Sequence, residues 1–213
     1  MNVRYPNRGN WYNRSFWGRY PHAHWRFNEN VNWWRPAAWG AVTGWTLARW
    51  NRPVTYNYGQ NIYYEGDQVY SGEEPIATAE EYTTQAEEIA TSVPEVSSDD
   101  VEWLPLGVFA VTADGQADGA DPTLFLQLAV SKEGIIAGTL QNAATDSVQS
   151  IEGMVDAESQ RSAWTVVGES RPIMETGISN LTEDTAPALV HFEDGQTQQW
   201  LLVRLDEPEE GNQ

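Results

Sequence analysis

Between Leu104 and Leu205, runs of β-branched, aromatic and leucine residues recur at near-regular intervals, separated by short polar breaks that carry Gly or Asp. No helical period competes with this pattern, so the stretch reads as strands. Eight are expected, at 107–112, 123–131, 135–142, 149–155, 162–167, 173–181, 188–192 and 198–205. In the second, Leu124, Leu126, Leu128 and Val130 alternate with Thr123, Phe125, Gln127 and Ala129, which gives that strand a clean inner face. The breaks at Lys132-Glu133-Gly134, Thr145-Asp146-Ser147, Glu158-Ser159-Gln160, 169–172 and Asp194-Gly195 suit hairpins. Short links make each strand antiparallel to its predecessor. Such a meander must either close on itself or fold over as two layers, because two free edges invite aggregation. Gly138, Gly153 and Gly177 fall inside strands, where they permit the sharp bending that closure requires. The expected fold is therefore mainly β, an eight-stranded antiparallel up-and-down meander closing as a small β-barrel over residues 101–207.

The rest of the chain reads as attachments to that barrel. Residues 1–52 hold eight arginines against one acid, Glu29, a balance of +7, whereas the remainder stands at −26, within a net charge of −19. Eight of the eleven tryptophans also lie in the first 52 residues. A split in both charge and aromaticity marks segments under different constraints. The tryptophan spacing fits neither period 2 nor period 3.6, so an irregular Trp/Arg-rich arm is expected, with a short helix over 36–42.

Residues 53–100 predict a small hairpin, an amphipathic helix and an acidic linker. Extended pieces at 54–58 and 61–64 lead to a turn at Glu65-Gly66-Asp67 and a strand at 68–70. Thr78 followed by Glu81 is a capping box, and Tyr82, Ala86, Ile89, Ala90 and Val93 follow at helical spacing, which predicts a helix over 79–92. Residues 208–213 form an acidic tail.

Chemistry is harder to find. The chain has no cysteine, which excludes disulfides and thiolate catalysis. No run approaches the roughly 20 apolar residues of a membrane-spanning helix. The opening Met1-Asn2-Val3-Arg4-Tyr5-Pro6 lacks the apolar core of a signal peptide and reads as the middle of something longer. Asp114, Asp118 and Asp121 share a loop with two glycines and form a candidate calcium loop, but their spacing misses the EF-hand pattern and an ordinary acidic turn explains them better. His22, His24 and His191 are the only histidines, too few for a zinc site without carboxylates. Ser179, Asn180 and His191 lie close in sequence, yet no nucleophile elbow accompanies them. Glu152 and Glu175 could flank a bond as glycosidase carboxyls do, but nothing distinguishes them among thirty-one acids. No catalytic residue, metal site or cofactor is assigned, and no enzyme activity is expected.

The arm carries the only recognisable binding chemistry. Trp25, Trp33, Trp34, Trp39, Trp45 and Trp50, with Arg26, Arg35 and Arg49, combine stacking faces with bidentate cations. That set suits a glycan or envelope polymer, a surface protein or single-stranded nucleic acid, although the acidic remainder would repel a polyanion. A simpler use is self-packing, since exposed tryptophan at this density is sticky unless covered. Trp103 before the first strand and Arg204 on the last are residue types that close lipocalin-like barrels, so a barrel holding a small ligand is an alternative, as is an enzyme with dispersed carboxylates.

Four stretches, Asn61-Ile62-Tyr63-Tyr64-Glu65-Gly66-Asp67, Gln85-Ala86-Glu87-Glu88-Ile89-Ala90, Trp103-Leu104-Pro105-Leu106-Gly107-Val108-Phe109-Ala110 and Gln198-Gln199-Trp200-Leu201-Leu202-Val203-Arg204-Leu205, resemble cell-surface proteins of planctomycete-type bacteria commonly labelled mu-protocadherin. The resemblance implies a location outside the cytoplasm and carries over no catalytic residue. It also makes a non-catalytic structural or binding role in the envelope the expected function, with the arm engaging a surface polymer or protein partner.

Overall fold

The computed structural model describes residues 19, 33–95, 101–113 and 122–207. In chain order they form helix α1 (Trp39–Trp45), strands β1 (Ile62–Glu65), β2 (Gln68–Ser71) and β3 (Glu74–Thr78), helix α2 (Ala79–Thr91), and strands β4 (Trp103–Ala113), β5 (Leu124–Ser131), β6 (Ile135–Asn142), β7 (Ser147–Val155), β8 (Arg161–Val166), β9 (Ile173–Gly177), β10 (Thr185–His191) and β11 (Thr197–Arg204). Strands β4 to β11 pair in sequence order, each antiparallel to the last, and β11 returns to β4 to close the barrel. The closing seam pairs Trp200 with Ala113, Leu202 with Val111 and Arg204 with Phe109.

The interior is filled by the chain's own side chains. Leu106, Phe109, Val111, Leu126, Leu128, Val130, Ile136, Ile151, Trp164 and Leu202 belong to one contiguous apolar cluster. An eight-stranded barrel is just wide enough for such packing, and each fully buried leucine or isoleucine contributes about 1.5–3 kcal/mol. The period of two that identified β5 in the sequence thus supplies its inward face directly.

The described part of the arm is not free. Helix α1 lies across the end of the barrel where β4 begins, with Val42 fully buried in the interior cluster. Trp39 stacks on Trp50 with centroids 6.0 Å apart, and the Trp50 indole donates to the Ala157 carbonyl at 2.8 Å. Lys132 sits 4.9 Å over the Trp45 ring while pairing with Glu102. At the same end the Arg204 guanidinium donates to the carbonyls of Leu106, Leu181 and Glu183 at 2.7, 2.8 and 3.0 Å and covers the Phe109 ring. Gly107 makes room for it: this residue has φ +128° at a bulge in β4, and a Cβ there would overlap the guanidinium. Burial pulls the Arg204 pKa down, and Asp184 and Glu183 oppose that pull.

Four expectations need correction. The short helix expected over 36–42 spans Trp39–Trp45 instead, with Ala38 at its N-cap. The hairpin of residues 53–78 is a three-stranded sheet in the order β1-β2-β3, because Pro75 is accommodated on an edge strand where its missing N–H costs nothing. Strand β4 starts at Trp103, because the bulge between Pro105 and Gly107 carries the pairing past two residues that read as breaks. Strand β9 stops at Gly177, and Asn180–Thr182 form a 3-10 turn. Asp114, Asp118, Asp121, His22, His24, Trp25 and Arg26 lie outside the described residues. Among the described residues no helix is long and apolar enough to cross a membrane.

Candidate functional site

The segment before β1 is strapped to the barrel by two buried amides. Gln160 accepts from the Val54 N–H at 2.9 Å and donates to the Arg52 carbonyl at 3.0 Å, and Asn180 does the same for the N–H and carbonyl of Tyr56, both at 3.0 Å. Each side chain thereby replaces the strand neighbour that the strap lacks. Gly177 permits the approach, since a Cβ would stand 2.5 Å from Asn180 Oδ1 and 2.7 Å from the Tyr56 ring. The strap delivers the small sheet and α2 onto the outer face of the barrel. The Thr78–Glu81 capping box forms as the sequence predicts, with bonds of 2.8 and 3.1 Å, and α2 then packs across β7, β8 and β9. Ala86 and Ala90 meet Ala163 and Ile173, small residues that let the helix lie close.

Beneath this cover the outward faces of three successive strands each contribute one ionisable side chain. Arg161 on β8 donates through Nε and Nη2 to Glu175 Oε2 at 2.9 and 2.6 Å. Its Nη1 donates to Gln85 and its Nη2 also to the Tyr82 carbonyl, and the guanidinium stacks 3.7 Å over the Tyr82 ring. Glu175 Oε1 on β9 contacts His191 Nε2 on β10 at 2.7 Å. His191 Nδ1 in turn lies 2.9 Å from the Thr197 hydroxyl and 3.2 Å from that of Thr83. Glu175 and His191 are fully buried and Arg161 is 4% exposed. Burial pulls the Arg161 pKa down, but Glu175, Tyr82 and Tyr58 outweigh this and hold it up. Around the group, burial pushes Tyr56 up to about 12 and moves Tyr58, Tyr64 and Tyr82 up as well.

The relay ends at a pocket. Thr197 lines a cavity of about 640 Å³ at the seam between the small sheet and the β10–β11 hairpin, together with Tyr58, Tyr63, Tyr64, Leu189 and Gln199. None of the residues lining it is charged. Two of its tyrosines are held by other rings: Tyr63 stacks on Tyr70 at 5.3 Å across the β1–β2 pair, and Tyr64 meets Tyr82 edge-on at 6.3 Å. A smaller cavity of about 400 Å³ at the other end of α2 has mixed charge, with Glu88, Asp156 and Arg161 on its walls.

The arrangement places the residues singled out in the sequence as follows. Trp33 is buried on the outer face of the barrel, and Trp39, Trp45 and Trp50 pack against its interior cluster. Trp34 packs beside Trp33, while Arg35 and Arg49 are exposed, Arg35 3.9 Å from Glu207. Ser179 and Asn180 serve the strap, Ser179 donating to the Val54 carbonyl at 2.5 Å. Glu152 lies on β7, opposite Thr165, away from the ion pairs of Glu175. Arg161 went unnoticed in the sequence. Its signal is a lone charge in the apolar run that becomes β8, matched by single ionisable residues in the two strands that follow. Among the described residues no cluster of histidines and acids could hold a metal ion.

In outline Thr197, His191 and Glu175 have the order of a nucleophile, a base and its orienting carboxylate. The details are those of a closed network: the carboxylate also binds Arg161, and Arg161, Glu175 and His191 are all buried beneath α2. No family model matches the chain, and no curated protein or solved structure matches it either.

Proposed function

We propose that the chain is a non-catalytic binding module of the bacterial envelope, with the barrel as a rigid acidic body and the tyrosine-lined pocket as its recognition surface. One observation carries this reading. The groups best suited to catalysis are saturated by one another beneath α2, whereas the cavity beside them is lined by aromatic and uncharged residues. Buried and fully bonded ionisable groups hold elements in register, while an open aromatic cavity with a few fixed polar groups suits a ligand. The resemblance to planctomycete-type surface proteins supports the location. Two of the stretches that carry it bear Ile62, Tyr63, Tyr64 and Gln199, all of which line the pocket.

The described part of the arm has a second role in this reading. Its Trp39, Trp45 and Trp50 plug the barrel end and Trp33 and Trp34 pack on its outer face, so partner contacts through the arm would fall to its exposed residues, such as Arg35 and Arg49. Antibody labelling of intact source cells, compared with lysed cells, tests the location. Labelling of intact cells is expected, and signal only after lysis would overturn the envelope assignment.

The alternative with a specific observation behind it is a hydrolase that uses Thr197 through His191 and Glu175. It requires ester or amide cleavage that Thr197→Val abolishes.

A further inference from the structure

We infer that the pocket between β1 and the β10–β11 hairpin is a binding site for a neutral saccharide, an assignment that rests on the binding-module reading and gives its ligand a chemical class. At about 640 Å³ the cavity has the size of an ordinary small-molecule site and lies at a seam between two packed units, where such sites concentrate.

Its lining decides between ligand classes. A charged ligand would surrender its hydration with no countercharge among the lining residues, and an anion would in addition approach a chain of net charge −19. A wholly apolar ligand would cover the Gln199 amide without satisfying it. A saccharide meets both demands. Its hydroxyls pair with Thr197 and Gln199, and its C–H face lies on the ring of Tyr64.

The polar groups and the ring are also set in advance. Glu175 accepts from His191 Nε2–H; in the neutral ring this leaves Nδ1 to accept the Thr197 O–H, and the Thr197 oxygen then accepts from a ligand hydroxyl. Thr83 does not compete, because its hydroxyl donates to the Ala79 carbonyl at 3.0 Å. The Tyr64 ring is fixed by its edge contact with Tyr82. Fixing these groups before binding lowers the ordering cost that weak sugar contacts must overcome. The buried Arg161–Glu175–His191 network thus has a use beyond stability: it orients one hydroxyl at the pocket wall.

The test is a titration of the full, 15N-labelled chain with short uncharged oligomers of glucose and of N-acetylglucosamine, and in parallel with oligomers of glucuronic acid. The uncharged sugars are expected to give saturable shifts centred on the amides of Gly59, Tyr63, Tyr64, Gly195 and Gln199, and the acidic oligomers none. Tyr64→Ala and Gln199→Ala, both at side chains that are not fully buried, should each weaken binding at least about tenfold with the remaining spectrum unchanged. Ile76→Ser, at an exposed position of β3 outside the lining, should leave it as it was. Absence of shifts at these amides with every uncharged sugar, or unchanged affinity in both pocket variants, overturns the assignment. If envelope material is bound equally well by the pocket variants, the saccharide site falls and the envelope reading stands. If sugars fill the pocket while envelope material is ignored, the envelope reading falls and the site stands.

Discussion

His191 Nε2 stands 2.7 Å from Glu175 Oε1, with both side chains fully buried, while the other oxygen of that carboxylate takes two N–H groups of Arg161. One carboxylate therefore bridges β8, β9 and β10, and its removal leaves a buried guanidinium and a buried imidazole without it. Glu175→Ala is expected to cost about 3–5 kcal/mol in urea unfolding, the range for breaking a buried pair on one side. Replacing both partners, Arg161→Met with Glu175→Leu, should cost less than the single change, because no charge is left unpaired. A loss under about 1 kcal/mol for Glu175→Ala would show the network to be dispensable.

Much of this arrangement is legible in the sequence, and the rest is hidden for definite reasons. The alternation in 124–130 and the hairpin breaks identify the barrel strands because both are local signals. The capping box at Thr78 and Glu81 fixes the start of α2 for the same reason. Strand β3 is obscured by Pro75, whose edge position cannot be seen from neighbours in the chain. The pairing of Arg161 with Glu175 and of Glu175 with His191 depends on the register of two hairpins, since the three residues lie 14 and 16 positions apart. The pocket is less legible still: Tyr64 and Gln199 share it because Asn180 and Gln160 strap the segment before β1 to the barrel. The arm's tryptophans announced stacking but not its object, because a plug and a binding face need the same residues.

Tyrosine ionisation should set the alkaline limit of the fold. Burial pushes Tyr56 from the ordinary value of 10.0 up to about 12. A group raised in the folded state contributes stability that is fully present below its unfolded pKa and lost as pH rises through the folded one. Stability should hold to about pH 10 and fall between there and about pH 12, with Tyr58, Tyr64 and Tyr82 extending the fall in the same direction. Absorbance at the tyrosinate band, followed with urea midpoints across that window, checks this. Tyr56→Phe should make the decline shallower, at the cost of the bond its hydroxyl donates to the Ser159 carbonyl at 2.7 Å.

The strap can be released at one residue. Asn180→Ala removes both bonds to the Tyr56 backbone and leaves a buried N–H and carbonyl without them, so a loss of about 2–3 kcal/mol is expected. Amide exchange at Tyr56 should accelerate well beyond that at Leu126 in the barrel core. Equal acceleration at the two sites would mean that the strap and barrel unfold as one unit.

At the plugged end, Arg204→Lys keeps the charge but not the planar fork that reaches three carbonyls, and a loss of about 1–3 kcal/mol should follow in the same unfolding assay. Unchanged stability would assign the closure of that end to α1 alone.

The most direct measurement is co-sedimentation of the full chain with insoluble envelope material from the source cell, followed by washing with a neutral oligosaccharide and, separately, with high salt. Binding through an uncharged pocket predicts saturable sedimentation that survives the salt and is released by the sugar. A chain that stays in the supernatant, or one released by salt and not by sugar, would contradict it.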